Sequence, residues 1–164
     1  MATKALITPE QYLATHFERE PEFVHGELVE RTLPTFPHGE IQLKLGSRLL
    51  ALQRSHRVYT GVEVRMRLAG DVYRIPDIAL WTEPPARIPS AAPLLVVEVS
   101  SPDDRLHDLL QKLEEYRVWG VHHIWLVEPE LKKFHVYDNG SLTEVSRLEL
   151  AEFGFAVTAA ELFA

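Results

Sequence analysis

Apolar side chains along this chain recur at two spacings, and the switches between them outline its elements. Thr8-Pro9-Glu10-Gln11 carries the marks of a helix start: a capping threonine, a proline suited to the first turn, and a glutamine where a capping box places one. The helix is predicted to run to about Arg19. Residues 23–32 read as extended, with a turn near His25-Gly26, and Leu33 to Pro37 as a break. Ile41, Leu45, Leu49 and Leu52, widened by Leu43 and Leu50, follow a helical period and predict a helix over 38–55. From Val58 to Leu68 the period is two, with Val62, Val64, Met66 and Leu68 on one face and Glu63, Arg65 and Arg67 on the other. Ala69-Gly70-Asp71 then turns the chain into a second strand, 73–80, predicting an antiparallel hairpin. Pro76 cannot donate a ladder hydrogen bond, so a bulge or unpaired step is expected there, re-aiming the next side chain, Asp77.

The second half is more apolar. Prolines 84, 85, 89 and 93 mark 83–93 as a loop between strands. Residues 94–99 are apolar except for Glu98, as in a central strand covered on both faces. Ser101-Pro102-Asp103-Asp104 reads as a helix start, Leu106, Leu109, Leu110, Leu113, Tyr116 and Val118 as its buried stripe, and Gly120 as its end. Residues 124–127 form the next strand, which makes a right-handed βαβ unit with parallel strands. Two further strands, 133–137 and 142–148, flank the turn sequence Asp138-Asn139-Gly140-Ser141, and 158–163 suits a short terminal helix. The predicted fold class is α/β, a central mixed β-sheet flanked by α-helices, in one domain over residues 1–164.

Composition narrows the function classes. No apolar run approaches the ~20 residues of a membrane helix, and the first residues lack a basic region followed by an apolar run. The expectation is a cytoplasmic protein without a membrane partner. The absence of cysteine excludes disulfides and cysteine-ligated zinc or iron–sulfur centres. A formal net charge of −7 argues against coating nucleic acid by bulk charge, but leaves room for a local basic groove. The eight histidines show no tight metal-ligand spacing such as His-Glu-x-x-His. Neither a Walker A loop, nor Gly-x-Gly-x-x-Gly, nor a Gly-x-Ser-x-Gly elbow occurs.

The candidate chemistry lies between Tyr73 and Val127. A carboxylate inside Leu-Val-Val-Glu-Val is costly to bury unless it is paired or metal-bound, so Glu98 is the sharpest signal; the alternative is a basic partner or a position where the strand leaves the sheet. Asp77 would be unremarkable alone, as Pro-Asp steps are common in turns, but it sits in an apolar strand shortly before Glu98. Two carboxylates meeting at one point can hold Mg²⁺ or Mn²⁺ with several waters retained. Asp108, Lys112 and Tyr116 form one stripe on the helix shoulder, where Lys112 either pairs with Asp108 or stabilises charge at a phosphate. Tyr116 reads as a core residue with its hydroxyl at the rim. Glu27 and Glu30 read as a solvated sheet face, and the arginines at 54, 57, 65, 67, 74 and 87 as candidates for phosphate-backbone contacts, Arg65, Arg67 and Arg74 above all.

Taken together, Arg74-x-Pro76-Asp77, Val97-Glu98-Val99-x-Ser101-Pro102, Asp108-x-x-x-Lys112-x-x-x-Tyr116-x-x-x-Gly120-Val121 and Ile124-Trp125-Leu126-Val127 resemble the Uma2 family of bacterial restriction endonuclease-like proteins, in the PD-(D/E)XK nuclease superfamily. Gly26-Glu27-Leu28-Val29-Glu30 and the helix at His38 extend the resemblance over most of the chain. It implies a restriction-endonuclease-like core and a metal-dependent endonuclease with Mg²⁺ or Mn²⁺ as cofactor, acting on nucleic acid, DNA ahead of RNA. Asp77 and Glu98 would be metal ligands and catalytic acids. The superfamily's lysine two residues after the second acid is Ser100 here, and Lys112 takes its place from the following helix. Glu27 and Tyr116 are possible additional site residues. The chain departs from the family pattern at His123-Ile124-Trp125, where an acid often precedes Tyr-Trp, and at Val127-Glu128-Pro129, where Val-Asp-Pro is common. Cleavage of both strands of a duplex would need two sites, and so a homodimer. The alternative is a catalytically silent binding or oligomerisation domain with the same fold.

Overall fold

A computed structural model describes residues 6–164. The N-terminal stretch searched for a leader lies partly outside the described residues. In chain order the helices are α1 (Pro9–Ala14), α2 (Phe36–Ala51), α3 (Leu106–Trp119) and α4 (Ala159–Leu162). The strands are β1 (Glu22–Val24), β2 (Glu27–Val29), β3 (Tyr59–Val62), β4 (Met66–Ala69), β5 (Val72–Arg74), β6 (Ile78–Trp81), β7 (Leu95–Val99), β8 (His123–Glu128), β9 (Lys133–Asp138), β10 (Ser141–Val145), β11 (Arg147–Leu150) and β12 (Phe155–Thr158). Among the described residues the strands form a six-stranded sheet, β10-β9-β8-β7-β6-β3, a four-stranded sheet, β2-β1-β5-β4, and a β11–β12 ribbon.

The six-stranded sheet is mixed. β7 and β8 are parallel across α3, as the βαβ reading expected, and the other pairings are antiparallel. Strand periodicity divides its core. Leu95, Val97 and Val99 face α2, where they pack with Ile41, Leu45, Leu49, Trp125, Phe134 and Leu162. Val96 faces α3, packing with Leu113, Tyr116, Ile124 and the β4–β5 residues Met66, Leu68 and Val72. Glu98 shares the parity of Val96, so its carboxylate points towards α3. A third, aromatic cluster of Tyr12, Phe23 and Tyr73 fastens α1 to β1 and β5, with the Tyr12 hydroxyl donating to the Pro21 carbonyl at 2.7 Å.

Element boundaries moved where local chemistry overrode periodicity. α1 stops at Ala14, short of Arg19, because Thr15 is extended and its amide and hydroxyl bond back to the last turn. α2 starts at Phe36 and not His38: Thr35 caps it and Pro37 fits the first turn. The predicted 58–68 strand is two strands in two sheets. The chain breaks at Glu63, whose φ is +51°, so β3 pairs with β6 while β4 pairs with β5. Pro76 lies in the unpaired step between β5 and β6, as expected. α3 begins at Leu106, because Ser101 to Asp104 form a separate turn in which the Ser101 amide donates to Asp104 Oδ2 at 2.7 Å. The predicted 142–148 strand divides at Ser146 into β10 and β11.

Gly120 ends α3 with φ +110°, a conformation that L side chains rarely adopt. A Cβ there would meet only the Ala92 methyl at 3.9 Å, so the cost of substitution is conformational. Gly120→Ala is expected to cost about 1–2 kcal/mol, read as a lower urea midpoint with unchanged m; an unchanged midpoint would show that α3 ends otherwise.

Candidate functional site

The switch between sheets at Pro76 and the end of β7 bring three buried acids together. In the β6–β7 register Ile78 pairs with Val97, so one step further Asp77 comes abreast of Glu98 on the same side of the sheet. Likewise the β1–β5 register pairs Phe23 with Tyr73 and so sets Glu22 abreast of Arg74. Glu22, Asp77 and Glu98 are all buried. They line one cavity of about 280 Å³, with His38, Arg74 and Lys112 also in its wall.

Lys112 reaches this point from α3. Its Nζ lies 2.8 Å from Glu22 Oε1 and 2.8 Å from Glu98 Oε1. The expected alternative partner, Asp108, is exposed on the helix one turn earlier. The Tyr116 hydroxyl, fully buried, donates to the same Glu98 oxygen at 2.7 Å. Asp77 accepts the Val99 amide on Oδ2 at 2.7 Å, and His38 Nε2 stands 3.2 Å from its Oδ1. The Asp77 carbonyl is held by Gln42 Nε2 at 3.0 Å and by the Glu63 amide at 3.2 Å. Behind Glu22, Arg74 donates from Nη1 to Glu22 Oε2 at 2.9 Å and grips Glu115 with Nε and Nη2 at 2.7 and 2.9 Å. The Ile75 amide completes the Glu22 shell at 2.8 Å.

These contacts separate the acids electrostatically. Burial works to raise the Glu98 carboxyl; Lys112 opposes it, but the negative charges of Asp77 and Glu22 add to burial and bring it to about 7. Burial also works to raise Glu22, yet the charges of Lys112 and Arg74 and the hydrogen bonds from Lys112 and Ile75 hold it below its ordinary value. Asp77 is lowered too, with burial outweighed by His38, the Val99 amide and Lys112. Burial would lower Lys112, but Glu22 and Glu98 raise it well above the ordinary lysine value, so it stays an ammonium.

The donor set bears on a cofactor. Asp77 and Glu98 offer hard carboxylate oxygens, the chemistry that suits Mg²⁺ or Mn²⁺. Among the described residues no group of three or more His, Asp or Glu side chains is arranged to hold a cation. A cation held by Asp77 and Glu98 would therefore have to complete its shell with water or phosphate oxygens.

Asp77, Glu98, Lys112 and Tyr116 thus meet, and Glu27 does not: it is exposed on β2 and does not line the cavity. Arg74 is not a surface arginine. It is buried with its guanidinium committed to Glu22 and Glu115, because the strand pairing turns it inward. Arg65 pairs with Glu20 and lies over the Tyr12 ring, and Arg67 donates to the Gly70 carbonyl at the surface. The arginines in the cavity wall besides Arg74 are Arg19, Arg31 and Arg105. Sequence reasoning missed Glu22 and His38. The only signals were an acid opening a strand as short as Glu22–Val24 and a histidine on the buried side of an amphipathic helix.

The family model for Uma2, described as "Putative restriction endonuclease", matches residues 9–160. Among solved structures, the chain is similar to a protein from Anabaena variabilis ATCC 29413 described as a "putative nuclease belonging to DUF820". The TM-score is 0.84 at 20% identity, covering 96% of this chain and 97% of that one, so the two share a fold. No curated protein matches the sequence.

Proposed function

The chain belongs to the Uma2 family, and from that premise we propose that it is an endonuclease hydrolysing phosphodiester bonds of nucleic acid, DNA ahead of RNA, with Mg²⁺ or Mn²⁺ as cofactor. The observation that carries this reading is the convergence of Asp77, Glu98 and Lys112 in one cavity from three separate segments. Asp77 and Glu98 would hold the cation, which when bound polarises a phosphate oxygen and acidifies the attacking water. His38 and the Val99 amide fix the Asp77 carboxylate, and Tyr116 fixes that of Glu98. Lys112, kept protonated by its neighbours, would act as a fixed positive charge against the phosphate and not as a general base. Arg19, Arg31 and Arg105 in the cavity wall would take the flanking phosphates.

The test titrates Mn²⁺ and Mg²⁺ into wild type and Asp77→Ala, with thermal unfolding and nicking of supercoiled plasmid as readouts. The expected result is stabilisation and metal-dependent nicking in wild type, both lost in Asp77→Ala. A second reading, a silent binding domain, draws on the ion pairs that Lys112 makes with both Glu22 and Glu98, which give these acids a structural role of their own. Neither stabilisation nor nicking at millimolar metal, with plasmid present, would select it.

A further inference from the structure

The helix that carries His38 also presents an apolar face that the fold leaves uncovered. Phe36 is 82% exposed, Leu43 73% and Leu50 49%, while Ile41, Leu45 and Leu49 of the same helix are buried. Residues 36, 43 and 50 are seven apart and so lie on one stripe about 21 Å long. Between them, on the same face, come Gly39 and Ser47, both exposed. A Cβ on Gly39 would meet nothing within 4 Å, so this position is an open notch. Val62, 53% exposed, borders the stripe: a Cβ on Gly46 would stand 3.7 Å from its Cγ1.

The order is large, small, large, small, large, and it reads the same in both directions from Leu43. We propose that this face of α2 is the contact surface for a second copy of the chain, packed antiparallel about a two-fold axis at Leu43. Such a pairing sets Phe36 opposite Leu50, Gly39 opposite Ser47, and Leu43 opposite its own copy. Small layers let the backbones approach while large layers bury the apolar surface. Self-complementarity about one residue is what an isologous contact requires and an unrelated partner does not. Charge agrees. Glu40 and Lys44 flank the stripe on one side, 3.1 Å apart in the monomer. Reversal of the second helix brings Glu40 level with the turn between Lys44 and Ser47 of the other copy, so each Glu40 meets a lysine twice over the pair. His38 precedes Leu43 by five residues, so the two sites stand about 15 Å apart along the helix axis.

This surface does not depend on catalysis, and its test reads mass and cross-linking alone. Sedimentation equilibrium of wild type is expected to give twice the 18.7 kDa chain mass at high concentration. Leu43→Glu, which places two carboxylates together on the axis, is expected to return the monomer mass with unchanged circular dichroism, since the side chain is exposed. The native chain has no cysteine, so Leu43→Cys under copper–phenanthroline oxidation is expected to give a disulfide dimer through that position alone. Leu131→Cys, on an exposed residue elsewhere, should remain monomeric on a non-reducing gel. A monomeric wild type, a Leu43→Glu variant that keeps the dimer mass, or equal cross-linking at residue 131 would each overturn the proposal.

Discussion

Lys112→Ala is expected to destabilise the fold by about 3–5 kcal/mol, because it leaves the buried Glu98 without its counter-charge and Glu22 with Arg74 alone. The Lys112 ammonium is 2.8 Å from both Glu22 and Glu98, and Arg74 cannot replace it, being held by Glu22 on one side and Glu115 on the other. The abandoned acids would titrate upwards in the folded state. A group whose folded pKa is raised binds its proton more tightly when folded, so the native state regains stability as pH falls. Urea denaturation should therefore show a large deficit at pH 7.5 that narrows at pH 5.5. A variant as stable as wild type at both pH values would mean that the ammonium contributes nothing net to the cluster. Plasmid cleavage should be lost even at pH 7.5 and low temperature, where the variant is still folded.

Glu98→Gln is expected to reduce cleavage about 1,000-fold or more, the scale of losing several kcal/mol of transition-state stabilisation, while sparing the fold. The amide keeps an oxygen for the Tyr116 hydroxyl and for Lys112, but not the charge that would hold a cation. Its effect on stability has a definite sign. The Glu98 carboxyl sits at about 7 in the fold, against an ordinary value of 4.5. Between these values the native state holds a proton that the unfolded chain has released, so this group's contribution to stability falls as pH rises through that window. Subtracting the Glu98→Gln denaturation profile from wild type should isolate that decline between pH 4.5 and 7, with the variant gaining on wild type as pH rises. Undiminished cleavage by Glu98→Gln would remove Glu98 from the site. A difference profile that rises with pH would show its carboxylate to be stabilised by the fold.

Much of this arrangement was legible along the chain because its causes are local. The apolar run around Glu98, the proline before Asp77, Gly120 at the end of α3 and the Asn139-Gly140 turn each act within a few residues. All four behave as periodicity and backbone chemistry expected. The misplaced boundaries at Thr15, Thr35 and Glu63 arose where a side-chain cap or one backbone kink set the limit, and the one at Leu106 where Ser101 to Asp104 closed into a turn of their own.

The completed site was not legible, because its parts meet through pairings that no local pattern encodes. Glu22 enters by the β1–β5 register, its hydrogen bond to Arg74 spanning 52 positions. His38 reaches Asp77 only once α2 packs on the sheet. The choice of Lys112 between Asp108 and the acids depended on which side of α3 met β7, and Arg74 turned from a candidate phosphate contact into an internal brace by the same pairing that buried Glu22. The sequence by itself determined the mixed α/β fold and the βαβ unit, and it singled out Asp77, Glu98 and Lys112 as candidates. Only the tertiary structure decided their charge balance, since a buried carboxylate's protonation is set by the few groups within hydrogen-bonding reach, and strand register chooses those groups.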